Sequence, residues 1–321
     1  MRRIAAALLV PLAACAALAG CGSSGGSAAA DPNALVKVSG TFDKQPTVSI
    51  PAKKASGKLV ISTPIKGTGA ALKSGNAPLA NVALYKWSGT THTLLDSTYS
   101  TGPQMIPPQM GLPGLTDALK GARMGSRIVA VLPPKYGYGA SGQSQLKISG
   151  TDTVVWVIDL LQQYPVAQSA SGRQVSTGGG KLPSVTAKAG ESPVISIPKN
   201  APPAKLSVTT LIKGSGPKLT DGETVVAQYV ASIWRTGKVF SATWPSAAQP
   251  TGMPFSFQLG GNVVTGWNDG LVGVPVGSRV MLVIPPALGY GPSGGQPSAG
   301  IKKNDTLVFV IDVLGVQAAA A

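Results

Sequence analysis

Met124-Gly-Ser-Arg-Ile-Val-Ala-Val-Leu-Pro-Pro134 returns later in the same chain as Val276-Gly-Ser-Arg-Val-Met-Leu-Val-Ile-Pro-Pro286. The match extends outward in both directions. Upstream, Thr47-Val-Ser-Ile-Pro51 returns as Val194-Ile-Ser-Ile-Pro198, and Lys66-Gly-Thr-Gly69 as Lys213-Gly-Ser-Gly216. Downstream, Gly137-Tyr-Gly139 returns as Gly289-Tyr-Gly291, and Asp152-Thr-Val-Val-Trp-Val-Ile-Asp159 as Asp305-Thr-Leu-Val-Phe-Val-Ile-Asp312. A repeat of roughly 150 residues is a duplicated domain and not a solenoid repeat. Within each copy, segments such as Lys58-Leu-Val-Ile-Ser62 and Arg279-Val-Met-Leu-Val-Ile284 have the period and composition of strands. Gly114-Leu-Thr-Asp-Ala-Leu-Lys120 and Gly266-Trp-Asn-Asp-Gly-Leu-Val272 carry apolar residues four apart, as one short helix per copy would. Many strands with one helix predict an α+β fold: an antiparallel sheet wrapped around a short helix that covers one face.

Composition agrees with two β-rich domains. The 321 residues include Gly 41 and Pro 27, and the apolar share of 43% is too high for wholesale disorder. The formal charge of +15 is thinly spread, without a run of five or six Lys/Arg or a basic stripe interleaved with aromatics. Nucleic-acid binding is therefore not expected, and the charge suits solubility and an anionic envelope. Cys15 and Cys21 are the two cysteines and His92 the one histidine, which excludes disulfides in the body, Cys-based or His-rich metal sites and a pair of His-based active sites. No metal and no cofactor is expected.

Met1-Arg2-Arg3 and the apolar stretch Ile4–Leu18 read as a signal peptide, too short for a membrane span. It ends in Leu18-Ala19-Gly20-Cys21, the pattern of a bacterial lipobox, in which the Cys21 sulfur takes a diacylglycerol. The expected product is exported and held by lipid at the outer face of the cytoplasmic membrane. The domain reading is a signal peptide over 1–20, a flexible tether over 21–34, a first domain over 35–164, a Ser/Gly-rich linker over 165–192 and a second domain over 193–321. The linker's loosest ~20 residues would span about 25 Å as a random chain.

The second copy, from Lys205 to Val316, resembles an FKBP-type peptidyl-prolyl cis/trans isomerase domain. Val225-Val-Ala-Gln-Tyr229, Gly237-Lys-Val-Phe240-Ser241, Pro254-Phe255-Ser-Phe257-Gln-Leu-Gly260, Val263-Val264-Thr-Gly-Trp267, Leu288-Gly-Tyr290-Gly and Asn304-Asp-Thr-Leu-Val-Phe309 follow that family's order. The resemblance implies a pocket floored by Trp267 and walled by Tyr229, Phe240, Phe255 or Phe257, Val263, Val264, Ile301 and Phe309. It also implies that Tyr290 and a backbone N–H near Val264 bind substrate carbonyls. Its substrates would be X-Pro-containing polypeptides. Ser241 stands where the family has Asp, which implies lower activity.

The first copy, from Lys58 to Tyr164, is eroded. Its expected equivalents are Tyr85, Asp96, Leu112, Leu115, Tyr138, Ile148 and Trp156, with Leu115 in place of the floor tryptophan and Leu95 in place of the pocket Phe. The Phe-x-Phe-x-Leu-Gly strand is missing. The second domain is thus the better candidate for activity, and residues 200–321 alone are expected to accelerate isomerisation of a short X-Pro peptide. Gly137–Gly142 and Gly289–Gly294 both satisfy G-x-G-x-x-G, but each follows a Pro-Pro pair and precedes polar loop, which excludes a dinucleotide site. The leading expectation is a foldase for exported chains. The alternative is a non-catalytic module that holds Pro-containing peptides or an envelope partner. Oligomeric state is not legible.

Overall fold

A computed structural model describes residues 30–246, 252–261 and 263–318. The signal peptide, Cys21 and the tether up to residue 29 lie outside the described residues. From Asp31 onward the chain clusters as one compact body holding both copies.

The first domain comprises β1 (Lys37–Ser39), β2 (Thr47–Ser49), β3 (Val60–Ile65), β4 (Asn76–Ser88), β5 (Thr91–Ser97), β6 (Gln104–Met105), α1 (Pro113–Leu119), β7 (Arg127–Leu132) and β8 (Thr153–Pro165). Its antiparallel sheet runs β3-β7-β8-β4-β5, with β6 on the edge of β4. The second domain adds β9 (Arg173–Gln174), β10 (Ser184–Thr186), β11 (Val194–Ser196), β12 (Ser207–Lys213), β13 (Thr224–Ile233), β14 (Val239–Ala242), β15 (Phe255–Gln258), α2 (Thr265–Leu271), β16 (Arg279–Ile284), β17 (Gly295–Gln296), β18 (Ile301–Lys302) and β19 (Leu307–Gln317). Its sheet runs β14-β13-β19-β16-β12-β9, with β15 on β13. The α+β architecture read from the sequence is the one observed.

β7 and β16 are buried at every residue, although one helix can cover only one face of a sheet. The other face is covered by a strap. Val280, Leu282 and Ile284 point toward α2, while Met281 and Val283 meet Val185, Ile195 and Ile197 of the β10–β11 hairpin. The β1–β2 hairpin does the same for the first sheet with Val38, Val48 and Ile50. Burial on both faces explains why these strands are continuous apolar runs. Each strap is fastened alike: Trp87 Nε1 donates to the Lys53 carbonyl at 2.9 Å, and Trp234 Nε1 to the Asn200 carbonyl at 3.1 Å. The helices sit close to their sheets. A Cβ on Gly266 would come 2.6 Å from Ile284 and one on Gly270 2.7 Å from Leu282, so glycine sets that spacing.

Each sheet also buries one ion pair. Arg127 donates to Asp159 at 2.7 and 2.6 Å, and Arg279 to Asp312 at 2.5 and 2.7 Å. Arg127 spends its remaining donors on carbonyls of the first strap, those of Gly40, Thr41 and Lys44. Buried charges persist only with their hydrogen bonds satisfied, so the pair and the strap support each other.

The segment 165–192 is not the loose linker its composition predicts. Ala170 N donates to Asp312 at 2.8 Å, Ser171 N and Gly172 N donate to Gly277, and β9 pairs with β12. Gly172 is there for contact, since a Cβ would lie 2.1 Å from the Lys213 carbonyl oxygen. Small residues in this stretch permit close backbone approach, and the same composition in a polar context reads as flexibility. Its later part forms β10, which pairs with β11 as the second strap.

Candidate active site

In β13, β14 and β15, side chains alternate between the two faces of the sheet. On the α2 face this brings Tyr229 of β13, Phe240 of β14 and Phe255 of β15 over Trp267 and Phe309. Tyr229 and Phe309 meet Trp267 edge-on at centroid distances of 5.2 and 5.3 Å, and Phe240 meets Phe309 at 5.8 Å and 90°. Edge-to-face contacts of this kind fix ring orientation beyond simple burial. The result is a cavity of about 500 Å³ lined by Tyr229, Phe240, Ser241, Phe255, Val263, Val264, Trp267, Tyr290 and Phe309, together with Gln296 and Ala299.

Polar side chains in the lining are few: Tyr229, Ser241, Tyr290 and Gln296, besides the Trp267 indole N–H. Tyr229 Oη lies 2.9 Å from Ser241 Oγ. The half-buried Tyr290 phenol is held above its usual value, mainly by burial and further by the neighbouring Tyr229. It therefore remains a neutral O–H at physiological pH and can donate to a carbonyl. Trp267 Nε1 is buried with no hydrogen-bond acceptor among the described residues.

Two residues expected in the lining stand one layer back. Phe257 is buried against Trp267 at 5.0 Å and stacks beneath Phe255, and Ile301 is buried in the same cluster. They hold the floor and the wall without lining the hollow. Gln296 and Ala299 carry no sequence signal of their own, because a two-residue strand and a single turn are too short to show a period; their position between Tyr290 and Ile301 is the one clue.

The first domain differs in register from what the sequence predicts. Trp156 pairs with Leu84 and Ile158 with Val82, whereas Phe309 pairs with Ala231 and Ile311 with Tyr229. The counterpart of Tyr229 is therefore Val82. Tyr85 lies three positions further along β4, an odd step, so it points to the opposite face and packs into the cluster beneath the first strap. Asp96 does correspond to Ser241, since it pairs with Leu84 as Ser241 pairs with Ala231, but it is exposed with no phenol beside it. Leu112, Leu115, Ile148 and Trp156 are buried together, with Tyr138 half-buried against them. The pocket strand is not wholly lost, for β6 survives as two residues paired with Leu79 and Ala80. A hollow of about 540 Å³ in this domain is lined by Leu115 and Leu119 of α1 with Leu72, Pro78, Pro107 and Met110.

Residues 82–161 and 216–314 both match the FKBP-type peptidyl-prolyl cis-trans isomerase family. This chain belongs to that family. The two matches fall on the two sheets and together cover more than half of the sequence. The chain is 39% identical over 127 residues to an FK506-binding protein of Streptomyces anulatus, covering 39% of this chain and 98% of that protein. It is 36% identical over 125 residues to a probable FK506-binding protein of Corynebacterium glutamicum, with 39% and 98% covered. Among solved structures, a peptidyl-prolyl cis-trans isomerase from Pseudomonas syringae pv. tomato aligns with 31% identity and a TM-score of 0.30, covering 35% of this chain and 76% of that one.

Proposed function

We propose that this FKBP-family chain catalyses cis/trans isomerisation of X-Pro bonds through its second domain. The observation that carries the reading is the convergence of Tyr229, Phe240, Phe255, Trp267, Tyr290 and Phe309 on one hollow. Rotation about an X-Pro bond is opposed by amide resonance, with a barrier of ~18–20 kcal/mol, and no covalent bond needs to break. At the top of that barrier the nitrogen is no longer conjugated with the carbonyl, and the amide is less polar than when planar. A floor of Trp267 and Phe309 seats the prolyl ring and keeps water away, which favours the twisted amide over the planar one. Tyr290, neutral and half-buried, holds a substrate carbonyl while the bond turns.

The first domain has Val82 and Leu115 where the second has Tyr229 and Trp267, and we assign it no turnover. The lipobox Leu18-Ala19-Gly20-Cys21 supports anchoring at the outer face of the cytoplasmic membrane, where chains emerging from export would be the clients. Ser241 in place of the family's Asp favours a second reading, a module that binds Pro-containing peptides without turning them over. A proline-limited peptide relaxation assay on the full chain decides between the two. Acceleration is expected, and binding without acceleration would establish the second reading.

A further inference from the structure

β15 carries two faces of different character. Phe255 and Phe257 point to the pocket, while Ser256 between them points away, as the period of a strand requires. In a lone second domain that outer face of β15 would have no neighbouring domain to cover it. Here it meets the first domain. Met105 N, in β6, donates to Ser256 Oγ at 3.3 Å. Around this contact Ala77, Leu79, Met105 and Tyr164 of the first domain close on Val226 and Leu314 of the second. The fit is close: a Cβ on Gly315 would lie 2.1 Å from Tyr164 Oη, and one on Gly102 3.0 Å from Thr224 Oγ1.

A second link reaches the pocket by another route. The carbonyl of Val166, just past β8, accepts from Gln228 Nε2 at 2.5 Å. The Gln228 carbonyl oxygen accepts from the Thr243 hydroxyl, and Thr243 Oγ1 accepts from Tyr229 N at 2.9 Å. The chain of bonds thus runs from the end of the first domain to the backbone of a pocket tyrosine.

We infer that the first domain serves as a buttress, holding β15 and the Tyr229 backbone in place so that the pocket of its neighbour keeps its shape. The shortened β6 fits this role, because fewer residues separate Thr98 from Leu112 than separate Thr243 from Val264, and the two-residue remnant is what abuts β15. Met105, Tyr164, Ser256 and Gln228 are positioning residues for the pocket walls. As a statement about catalysis the inference rests on the proposed isomerase reading; as a statement about β15 it does not.

The test uses the full chain with Tyr164→Glu, which places a carboxylate in the apolar joint. Tyr164 lies outside the two clusters that form the first domain's own core, so the domains stay folded. Ser256→Ala is the milder companion, removing only the acceptor for Met105 N. Hydrogen exchange at the amides of residues 255–258 and 229 is expected to quicken about tenfold in Tyr164→Glu and about threefold in Ser256→Ala. For a short X-Pro peptide, Tyr164→Glu should raise KM about fivefold with kcat changed less than twofold. Exchange within twofold of the parent in both variants would overturn the buttress. Faster exchange in the two variants of a parent chain that itself neither turns over nor binds the peptide would uphold the buttress and sink the isomerase reading alone.

Discussion

Tyr229 Oη and Ser241 Oγ stand 2.9 Å apart, so the pocket's first tyrosine is held by a neutral hydroxyl. A carboxylate there would accept a charge-assisted bond roughly twice as strong and fix the ring more firmly. Ser241→Asp is expected to raise kcat/KM about threefold in a coupled peptide assay. A fall, or no change, would mean that the hydroxyl already orients Tyr229 fully.

The Trp267 indole makes no hydrogen bond among the described residues, so shortening the side chain removes volume and ring surface only. Trp267→Leu should lower stability by about 2 kcal/mol in urea titration and kcat/KM at least tenfold. Combined with Tyr290→Phe it should abolish turnover by the full chain. Activity above a few per cent of the parent in the double variant would place turnover in the first domain.

The phenol of Tyr164 is pushed up to about 12 by burial in the joint. An unfolded tyrosine releases its proton near pH 10, so between roughly pH 10 and 12 the unfolded chain holds fewer protons and stability falls as pH rises. Below pH 10 the contribution is fully present. Tyr164→Phe should flatten that alkaline decline, followed by chemical denaturation at stepped pH, and an unchanged slope would assign the decline to other groups. Because Tyr290 is also held above its usual value, kcat/KM should be flat from pH 6 to 9.

Arg279→Met leaves Asp312 buried with the Ala170 amide as its remaining named donor. Loss of one partner from such a pair costs about 3–5 kcal/mol. The urea midpoint should drop accordingly, and Arg279→Met with Asp312→Leu should recover much of the loss. A single substitution costing under about 1 kcal/mol would mean that the connector relaxes to let water in.

Much of the second pocket was legible because its chemistry lies in large side chains at fixed strand and turn positions. Tyr229, Phe240, Trp267, Tyr290 and Phe309 each sit in a motif that also dictates local backbone, so reading the motif placed the ring. The first domain was harder. Tyr85 was matched to Tyr229 by residue type, yet strand parity decides which face a side chain serves, and the ladder puts Val82 there. The strap repeat, 147 residues from Thr47 to Val194, already carried the right offset, since Val82 to Tyr229 is the same distance. The straps went unseen because three-residue strands give too few alternations to show a period. The stretch from Gln168 to Gly172 misled for a further reason: small residues that let two backbones touch have the composition of a loose chain.

The second strap also fixes where the polypeptide can be cut. A fragment beginning at residue 200 discards β9, β10 and β11, baring Leu211, Met281, Val283 and Val310 on the outer side of the sheet. Such a piece would bring a water-facing sheet of greasy strands into solution and clump, and its silence in an assay would reflect insolubility and say nothing of the pocket. Expression boundaries drawn just before Val166 keep the sheet clothed on both sides.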